Sequence, residues 1–230
     1  MSIVEIPLTT PAGNKIKTIG IWMSGGADSS LLCYLLAKEI KTQNIPVKIQ
    51  PLTVQKRPNI FESIPVKNKI IELLDAENIF SEHVIYHAPA SGWDTKDYLS
   101  MFAKMNRENI RHNMFQALFS GITTNPPREV QETFQWGILE DVESKRGSHL
   151  IKDTVRYFVE SENSVEYEFL EYKPFFNITK KNIAELYQEH GLLDSLFPLT
   201  RSCEDRNFLQ GHCGKCWWCE ERLWAFERLE

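Results

Sequence analysis

A six-residue loop, SGGADS at positions 24–29, lies between a predicted buried strand and a predicted helix. Residues 16–23 before it are apolar and β-branched, as in a central parallel strand, and residues 31–37 continue as a strongly apolar helix. Without Cβ atoms, Gly25 and Gly26 can turn the backbone so that N–H groups converge on an anion. The first turn of the helix adds unpaired N–H groups and a positive dipole end. The pattern therefore predicts a phosphate-binding loop.

The polar side chains of this loop predict further contacts with a nucleotide. Ser24 and Ser29 carry hydroxyl donors, and Asp28 can cap the helix or help to hold Mg²⁺. A simple turn with an ordinary N-cap is the alternative interpretation. The loop is neither a Walker A sequence, since no Gly-Lys-Ser/Thr follows, nor the dinucleotide fingerprint. The predicted cofactor-binding residues are Ser24, Gly25, Gly26, Ala27, Asp28 and Ser29.

Strands and helices alternate after the loop. Residues 47–54 are predicted as a second strand, residues 66–74 as a helix and residues 83–87 as a third strand. A helical pattern over residues 95–119 leads into a fourth predicted strand at 117–123. This order favours an α/β fold with a doubly wound, mostly parallel sheet, in which ligands bind at the carboxyl ends of the strands near the switch point.

The second half of the chain is less regular. Residues 140–165 mix charge, glycine and serine, which predicts a lid or mobile excursion. Residues 169–176 are predicted as extended, and a helix capped by Thr179 is expected to end at Gly191.

Length and composition suit one α/β domain, residues 1–200, with an appendage formed by residues 201–230. Hydrophobic residues make up 42% of the 230 residues, enough for a substantial core. The net charge of −5, without a basic block, argues against a long nucleic-acid backbone as the main partner. No signal-peptide pattern opens the chain, and no apolar run is long enough to span a bilayer. We therefore expect a soluble, cytoplasmic protein without a membrane partner.

Four of the five cysteines, Cys203, Cys213, Cys216 and Cys219, are clustered near the end of the chain. Their C-x9-C-x2-C-x2-C spacing lets four thiolates converge on one tetrahedral Zn²⁺. A site closed by four thiolates is structural and not catalytic. Such a zinc is expected to attach the last predicted helix, residues 220–226, to the domain.

Other interpretations of the cysteines stay open. An iron–sulfur cluster also favours C-x2-C-x2-C, and redox or unliganded thiols are a third option, whereas disulfides fit poorly with a reducing cytosol. His212 lies beside the cluster and competes with Cys203 as the fourth ligand. Cys33 lies on the apolar helix and is predicted to be a small buried hydrophobe without a functional role.

Both ends of the chain resemble known proteins. The loop resembles the Ser-Gly-Gly-x-Asp-Ser loop of the PP-loop ATP pyrophosphatases, which have an adenine nucleotide alpha hydrolase-like fold. The tail resembles the 7-cyano-7-deazaguanine synthase family: Arg201 to Cys203, His212 to Cys216 and Cys219 to Phe226 are similar to its W-S-C, H-C-G-K-C and C-x-E-R-x-x-A-F segments. Pro174 to Lys180 is similar to the family's P-L-x-x-x-T-K stretch.

This resemblance implies an ATP-dependent ligase that forms a C–N bond and produces AMP and pyrophosphate. In the family, the zinc is structural, ATP adenylates the carboxylate of 7-carboxy-7-deazaguanine, and ammonia converts it through an amide to the nitrile on the route to queuosine. The implied cofactors are ATP, Mg²⁺ and Zn²⁺. The implied partners are a small-molecule carboxylate, such as a deazapurine, and ammonia or an ammonia donor, with a homodimer left open.

Few side chains are expected to take part directly, since adenylation requires mainly fixed positive charge around the phosphates. Asp28 and Arg111 are the predicted catalytic residues, Asp28 as support for the metal or the loop geometry. Arg111 and Lys173 are candidate cations for a phosphate or the substrate carboxylate. Solvated or purely structural charges are the alternative for both cations. Arg111 to Asn113 resembles only loosely an Arg-Asn pair in the family.

Two segments differ from the family. Residues 121–128 occupy the place of its D-Y-S-G-Y-P-D-C-R segment, and its Y-G-Q-R sequence appears only as residues 54–57, VQKR. The acceptor can therefore be another carboxylate or carbonyl. Two rival functions stay open, a sulfur-inserting PP-loop enzyme that modifies tRNA and a non-catalytic nucleotide-binding or protein-interaction module.

Overall fold

The computed structural model describes residues 4–10, 13–55, 63–87, 114–135, 152–159, 165–203 and 211–230. Two short 3-10 helices, Glu77–Ile79 and Phe197–Leu199, accompany the regular elements. In chain order these elements are β1 (Thr18–Trp22), α1 (Ala27–Thr42), β2 (Lys48–Gln55), α2 (Ser63–Leu74), β3 (Val84–His87), β4 (Ala117–Phe119), α3 (Arg128–Gln131), β5 (Lys152–Val159), β6 (Val165–Tyr172), α4 (Lys180–Glu189) and α5 (Trp217–Phe226).

The six described strands form one sheet in the order β3-β2-β1-β4-β6-β5. All neighbouring pairs are parallel except the last, in which β5 runs antiparallel to β6. The chain moves from β1 to β2 and β3 on one side, and β4 then pairs with β1 on the other side. The switch point therefore lies between the carboxyl ends of β1 and β4. This topology confirms the predicted doubly wound, mostly parallel sheet.

The core forms where α1 packs against the centre of this sheet. Ile19 and Ile21 of β1 are fully buried, as are Leu32 and Leu36 of α1. Burial of each such side chain contributes about 1.5–3 kcal/mol of hydrophobic free energy. Cys33 is equally buried, and burial raises the pKa of its thiol to about 12, so it is a core residue as predicted.

The second half of the sheet differs from the sequence prediction. Residues 152–159, expected to be part of a lid or mobile excursion over 140–165, form β5 and pair with β6 from Lys152↔Tyr172 to Val159↔Val165. The lid prediction is therefore wrong for these residues, whereas residues 140–151 and 160–164 lie outside the described residues. The segment 152–159 is rich in β-branched and aromatic residues, which favour a strand despite the charges nearby.

Helix α4 begins and ends where the sequence predicts. Thr179 and Asn182 form a capping box, in which the Thr179 N–H donates to Asn182 Oδ1 at 3.1 Å. Gly191 follows with a φ of +65°, a left-handed conformation that ends the helix. Helix α5 begins at Trp217, three residues earlier than predicted. Among the helices of the described segments, none has the length and apolar character needed to cross a membrane.

Candidate functional site

The predicted phosphate loop follows β1 directly and leads into α1. Gly25 has a φ of +82°, and Gly26 is the N-cap of α1 in an extended conformation. Glycine has no side chain with which to cap the helix, so the first N–H groups of α1 keep no partner from the N-cap residue. The backbone therefore has the form of an anion site at a helix N-terminus.

The serines form hydrogen bonds within the loop. Ser24 Oγ accepts a hydrogen bond from the Gly26 N–H at 3.2 Å and lies 3.1 Å from Ser29 Oγ. Ser29 and Ser30 both donate to the Gly26 carbonyl, at 3.2 and 2.7 Å. Ser29 is buried whereas Ser24 is exposed. Ser24 is thus the hydroxyl of the loop that is most accessible to a ligand.

A glycine after β4 brings the neighbouring strand close to the loop. A Cβ atom on Gly121 would lie 3.0 Å from the Asp28 carbonyl carbon and 3.0 Å from the Ser29 nitrogen. These contacts are with backbone, which cannot rotate away as a side chain can. Gly121 therefore permits the close approach of the two segments at the switch point. In the sequence, Gly121 stands out only as part of the segment 121–128, which differs from the family.

Asp28 belongs to a buried chain of charges. Lys180 of α4 donates a hydrogen bond to Asp28 Oδ2, and the Lys180 ammonium also lies 3.5 Å from Glu221 Oε2 of α5. The Lys180 and Glu221 side chains are 7% and 2% exposed, against 21% for Asp28. In the part of the chain that the structure describes, the buried Asp28 Oδ1 has no hydrogen-bond partner. This oxygen can accept a ligand or a metal-bound water.

Two further hydrogen bonds hold the loop from outside. The Tyr187 hydroxyl donates to the Ala27 carbonyl at 2.9 Å, and burial raises the pKa of Tyr187, which keeps the phenol protonated. The Arg201 N–H donates to the Gly25 carbonyl at 2.9 Å. The loop is therefore held by α4 and by the segment that precedes the cysteine cluster.

Of the two candidate cations, Lys173 lies among the described residues and Arg111 does not. Lys173 follows β6 directly and is 4% exposed. Because β1, β4 and β6 are parallel neighbours, Lys173 lies at the same end of the sheet as the loop. Arg111, the second predicted catalytic residue, lies outside the described residues.

The four clustered cysteines converge on one point. Their sulfur atoms all lie within 4.8 Å of one another, with Cys213 and Cys219 3.9 Å apart and Cys203 and Cys216 4.0 Å apart. Four sulfurs placed tetrahedrally at the Zn–S bond length would be about 3.8 Å apart. In a [4Fe–4S] cluster each thiolate binds a different iron, which requires wider spacing than one shared ion. The donor set fits a single tetrahedral metal ion.

Backbone contacts around the sulfurs support this arrangement. The Cys213 N–H points at Cys203 Sγ at 3.4 Å, and the Cys216 N–H points at Cys213 Sγ at 3.3 Å. N–H donors stabilise thiolates over thiols. His212 is not part of the close group, since its Nε2 accepts from the Ser202 N–H at 3.4 Å. Burial lowers the pKa of His212 to about 4, with Arg222 and Arg201 adding to the effect.

A buried arginine packs the helix of the cysteine tail onto the domain. Arg222 is fully buried and donates to the Leu229 carbonyl at 2.7 Å, to Thr200 Oγ1 at 2.9 Å and to the Phe197 carbonyl at 3.2 Å. Its guanidinium lies 3.8 Å from the centre of the Phe197 ring. Burial lowers the pKa of Arg222 to about 10, so the group stays charged at neutral pH.

A separate polar cluster connects β2 with the end of β1. Thr53 Oγ1 donates to the Met23 carbonyl at 2.6 Å and lies 2.7 Å from His83 Nε2. Burial, and to a lesser extent Lys67, lowers the pKa of His83 to about 4. His83 is therefore neutral at pH 7.

Solved structures to which this chain is similar include a tRNA thiolase and an NAD synthetase. The U34-tRNA thiolase NcsA from Methanococcus maripaludis, solved with its [4Fe-4S] cluster, is 16% identical with a TM-score of 0.44, over 83% of this chain and 60% of that chain. The NH3-dependent NAD synthetase from Campylobacter jejuni is 12% identical with a TM-score of 0.43, over 80% and 69%. This chain thus spans about three fifths of the thiolase. Comparison with curated proteins gives no match.

The C-terminal third of the chain has a family match. Residues 152–230 match the family described as Queuosine biosynthesis protein QueC. The matched range contains the four cysteines, Lys180 and Glu221, whereas the SGGADS loop precedes it. The match confirms that the tail of this protein resembles the queuosine biosynthesis family to which its cysteine motifs point.

Proposed function

We propose that this protein is an ATP-dependent ligase that adenylates a carboxylate and then inserts nitrogen. The observation that carries the proposal is the loop at positions 24–29, a glycine-capped helix N-terminus at the switch point of a doubly wound sheet. The buried, unpartnered Asp28 Oδ1 supports a role for this carboxylate among the described residues. The family match over the tail supports the same class of enzyme.

The loop supplies most of what nucleotide binding requires. The N–H groups at the start of α1 and the Ser24 hydroxyl would hold the phosphates, and Asp28 Oδ1 would hold Mg²⁺ or one of its waters. Bound Mg²⁺ supplies positive charge that offsets the charge developing on the departing pyrophosphate. The chain's own part is to fix the phosphates in line for attack by the acceptor.

The proposed reaction has two steps, adenylation of the acceptor and attack by ammonia. An acceptor carboxylate oxygen forms a bond to the α-phosphorus of ATP as the α–β bridging P–O bond breaks, and pyrophosphate leaves with the electron pair. Ammonia then forms a bond to the carbonyl carbon, the C–O bond to AMP breaks, and the nitrogen loses a proton to solvent to give an amide. Lys173, buried at the same end of the sheet, and Arg111 are proposed to bind the acceptor carboxylate.

The acceptor is proposed to be 7-carboxy-7-deazaguanine or a related small carboxylate, and the nitrogen donor free ammonia. The support is the family match. The loop after β4 differs from the family in sequence, and this is where a change of acceptor would be accommodated, since Gly121 places that loop against Asp28 and Ser29.

The tail, residues 201–230, is proposed to hold one structural Zn²⁺ on the ATP-binding domain. Sulfur separations of 3.9 and 4.0 Å support a single ion on Cys203, Cys213, Cys216 and Cys219. Metal analysis of the purified protein is expected to give one zinc per chain and a colourless solution. Stoichiometric iron with brown colour would instead support an iron–sulfur enzyme of the thiolation type.

The direct test is mass spectrometry of the protein incubated with Mg-ATP, ammonium and 7-carboxy-7-deazaguanine. We expect AMP and the amide of the deazapurine, formed together. Conversion of the amide to the nitrile would consume a second ATP, which releases a second pyrophosphate on adenylation of the amide oxygen and a second AMP as that oxygen leaves. The Asp28→Ala variant is the matched control, because it attributes AMP to this loop and not to a contaminating enzyme. If AMP forms only with a different carboxylate, the adenylation proposal holds and the acceptor assignment fails. If no acceptor yields AMP, the enzyme proposal fails.

A further inference from the structure

We infer that Lys180 and Glu221 are positioning residues for Asp28, through which the cysteine tail sets the charge and placement of the nucleotide loop. The inference rests on the proposed role of the loop in binding ATP. It concerns three residues on three different helices, α1, α4 and α5.

The contacts form a chain from the loop to the tail. Lys180 donates to Asp28 Oδ2, and the same ammonium lies 3.5 Å from Glu221 Oε2. With Oδ2 occupied by Lys180, the Asp28 carboxylate is fixed in orientation and Oδ1 is the oxygen left for a ligand, since the described residues offer it no partner. The conformation of Asp28 is thus set by Lys180 and not by the loop alone.

Charge balance explains why a lysine is needed here. A bare Asp28 carboxylate next to the helix N-terminus would repel the phosphates that the loop is proposed to bind. The Lys180 ammonium offsets that charge. A lysine that is only 7% exposed must itself be paired to remain charged, and Glu221, which is 2% exposed, supplies the partner. Each member of the chain therefore depends on the next.

The tail approaches the loop on both sides of the cysteine cluster. Glu221 follows Cys219 by two residues on α5, so the position of that helix fixes Glu221. Arg201 precedes Cys203 by two residues, and its N–H donates to the Gly25 carbonyl at 2.9 Å. A change in the geometry of the cysteine cluster is therefore transmitted to Gly25 by a backbone hydrogen bond and to Asp28 by an ion-pair chain.

Binding of α,β-methylene-ATP with Mg²⁺, measured by calorimetry, tests the inference without knowledge of the acceptor. Lys180→Met is expected to weaken binding by about tenfold or more, and Glu221→Gln by a few-fold, because a desolvated charge pair is lost. Lys180→Arg keeps the charge and is expected to recover part of the affinity. Lys181→Met, the same charge change one residue along on the exposed side of α4, is the control and should bind within about twofold of wild type.

A double variant separates positioning from general damage. If Lys180 acts by offsetting and orienting Asp28, then Lys180→Met should have little further effect on binding once Asp28→Asn has removed the negative charge. Fully additive losses, or unchanged binding in Lys180→Met, would overturn the inference. Circular dichroism of Glu221→Gln, which is close to isosteric, checks that the comparison is made on folded protein.

The two proposals can fail separately. If wild-type protein does not bind the analogue, the proposed function fails. The link itself is then tested by a double-mutant cycle of thermal unfolding between Asp28→Asn and Glu221→Gln. Each of these residues contacts Lys180, and the two substitutions are expected to be non-additive. Additive shifts in Tm would show that no such link exists.

Discussion

The nucleotide loop and the cysteine tail differ in the groups that form them, which are mainly backbone in the loop and side chains in the tail. The loop consists mainly of backbone groups: two glycines, the start of a helix, and serine hydroxyls that form hydrogen bonds within the loop. Tyr187, Lys180 and Arg201, which lie outside the loop, form further hydrogen bonds with it. The tail is defined by side chains, four sulfurs around one point and a fully buried Arg222. The loop leaves donors and one carboxylate oxygen for a ligand, whereas Glu221 and Arg222 of the tail are engaged with side chains and carbonyls of the residues that precede the tail.

The groups proposed to bind ATP and the residues that match a known family lie in different parts of the chain. The family match covers residues 152–230, which contain the tail, while the groups proposed to handle ATP lie at residues 24–29. The match therefore covers the tail and Lys180 but not the loop. The inferred Asp28–Lys180–Glu221 chain is the place where the two parts meet.

Removing one sulfur from the tail should have the largest effect. Cys219→Ala is expected to abolish metal binding and to lower the free energy of unfolding by on the order of 5 kcal/mol or more, because a structural metal site contributes directly to folding. Cys33→Ala removes an equally buried thiol outside the cluster and should cost about 1–2 kcal/mol with metal retained. Metal analysis and urea unfolding measure both effects. Equal metal content in the two variants would contradict a metal site in the tail.

Truncating the buried arginine should have the next largest effect. Arg222→Met removes the charged donor from the Leu229 carbonyl and from Thr200 Oγ1, and one of the three donors to the Phe197 carbonyl, at a cost of about 3–5 kcal/mol. Arg228→Met is the matched control, since Arg228 is 39% exposed and pairs with the exposed Asp194, a contact contributing about 1 kcal/mol or less. Urea unfolding of both variants gives the comparison. Similar losses would show that burial of Arg222 does not anchor α5.

Substitution by alanine should lower stability more at Gly121 than at Gly26. Gly121→Ala presses on the Asp28 and Ser29 backbone at 3.0 Å and is expected to cost about 1–3 kcal/mol and to weaken nucleotide binding several-fold. In Gly26→Ala, the new Cβ meets the Ser24 hydroxyl at 3.3 Å at a normal φ of −74°, so its stability cost should be smaller. Thermal unfolding checks the order. A reversed order would mean that the β4 segment yields more easily than the loop.

The last prediction is a pH dependence of stability at His83, which contacts Thr53 of β2. Because burial lowers the folded-state pKa of His83 to about 4 from an unfolded value near 6.5, the unfolded state binds more protons between these values. Its contribution to stability is therefore complete above about pH 6.5 and is lost as the pH falls towards 4. His83→Gln should flatten the stability profile in this window only. A variant profile parallel to that of wild type would contradict the buried, neutral state of His83.

Local patterns made much of the architecture predictable from sequence. The order of strands and helices around Gly25 and Gly26 placed the loop correctly, and the Thr179 cap and Gly191 ended α4 where expected. Short cysteine spacings similarly placed four sulfurs together. These features are predictable because each depends on residues close in sequence.

Features that depend on distant residues were not predictable. Lys180 and Asp28 are separated by 152 positions, and neither residue type nor spacing indicates that they meet. The close approach of Gly121 to α1 and the pairing of β5 with β6 are also set by tertiary packing. The charged residues between 140 and 165 do not suggest a strand, and β5 is stabilised by its pairing with β6.

The most direct test of this division of labour measures AMP formation and metal content on the same samples of wild type, Asp28→Ala and Cys216→Ser. Asp28→Ala is predicted to keep its fold and metal, because Lys180 remains paired with Glu221, while AMP formation falls by at least about 100-fold. Cys216→Ser is predicted to lose metal and soluble protein. Equal loss of fold in both variants, or AMP formed at the wild-type rate by Asp28→Ala, would contradict the account.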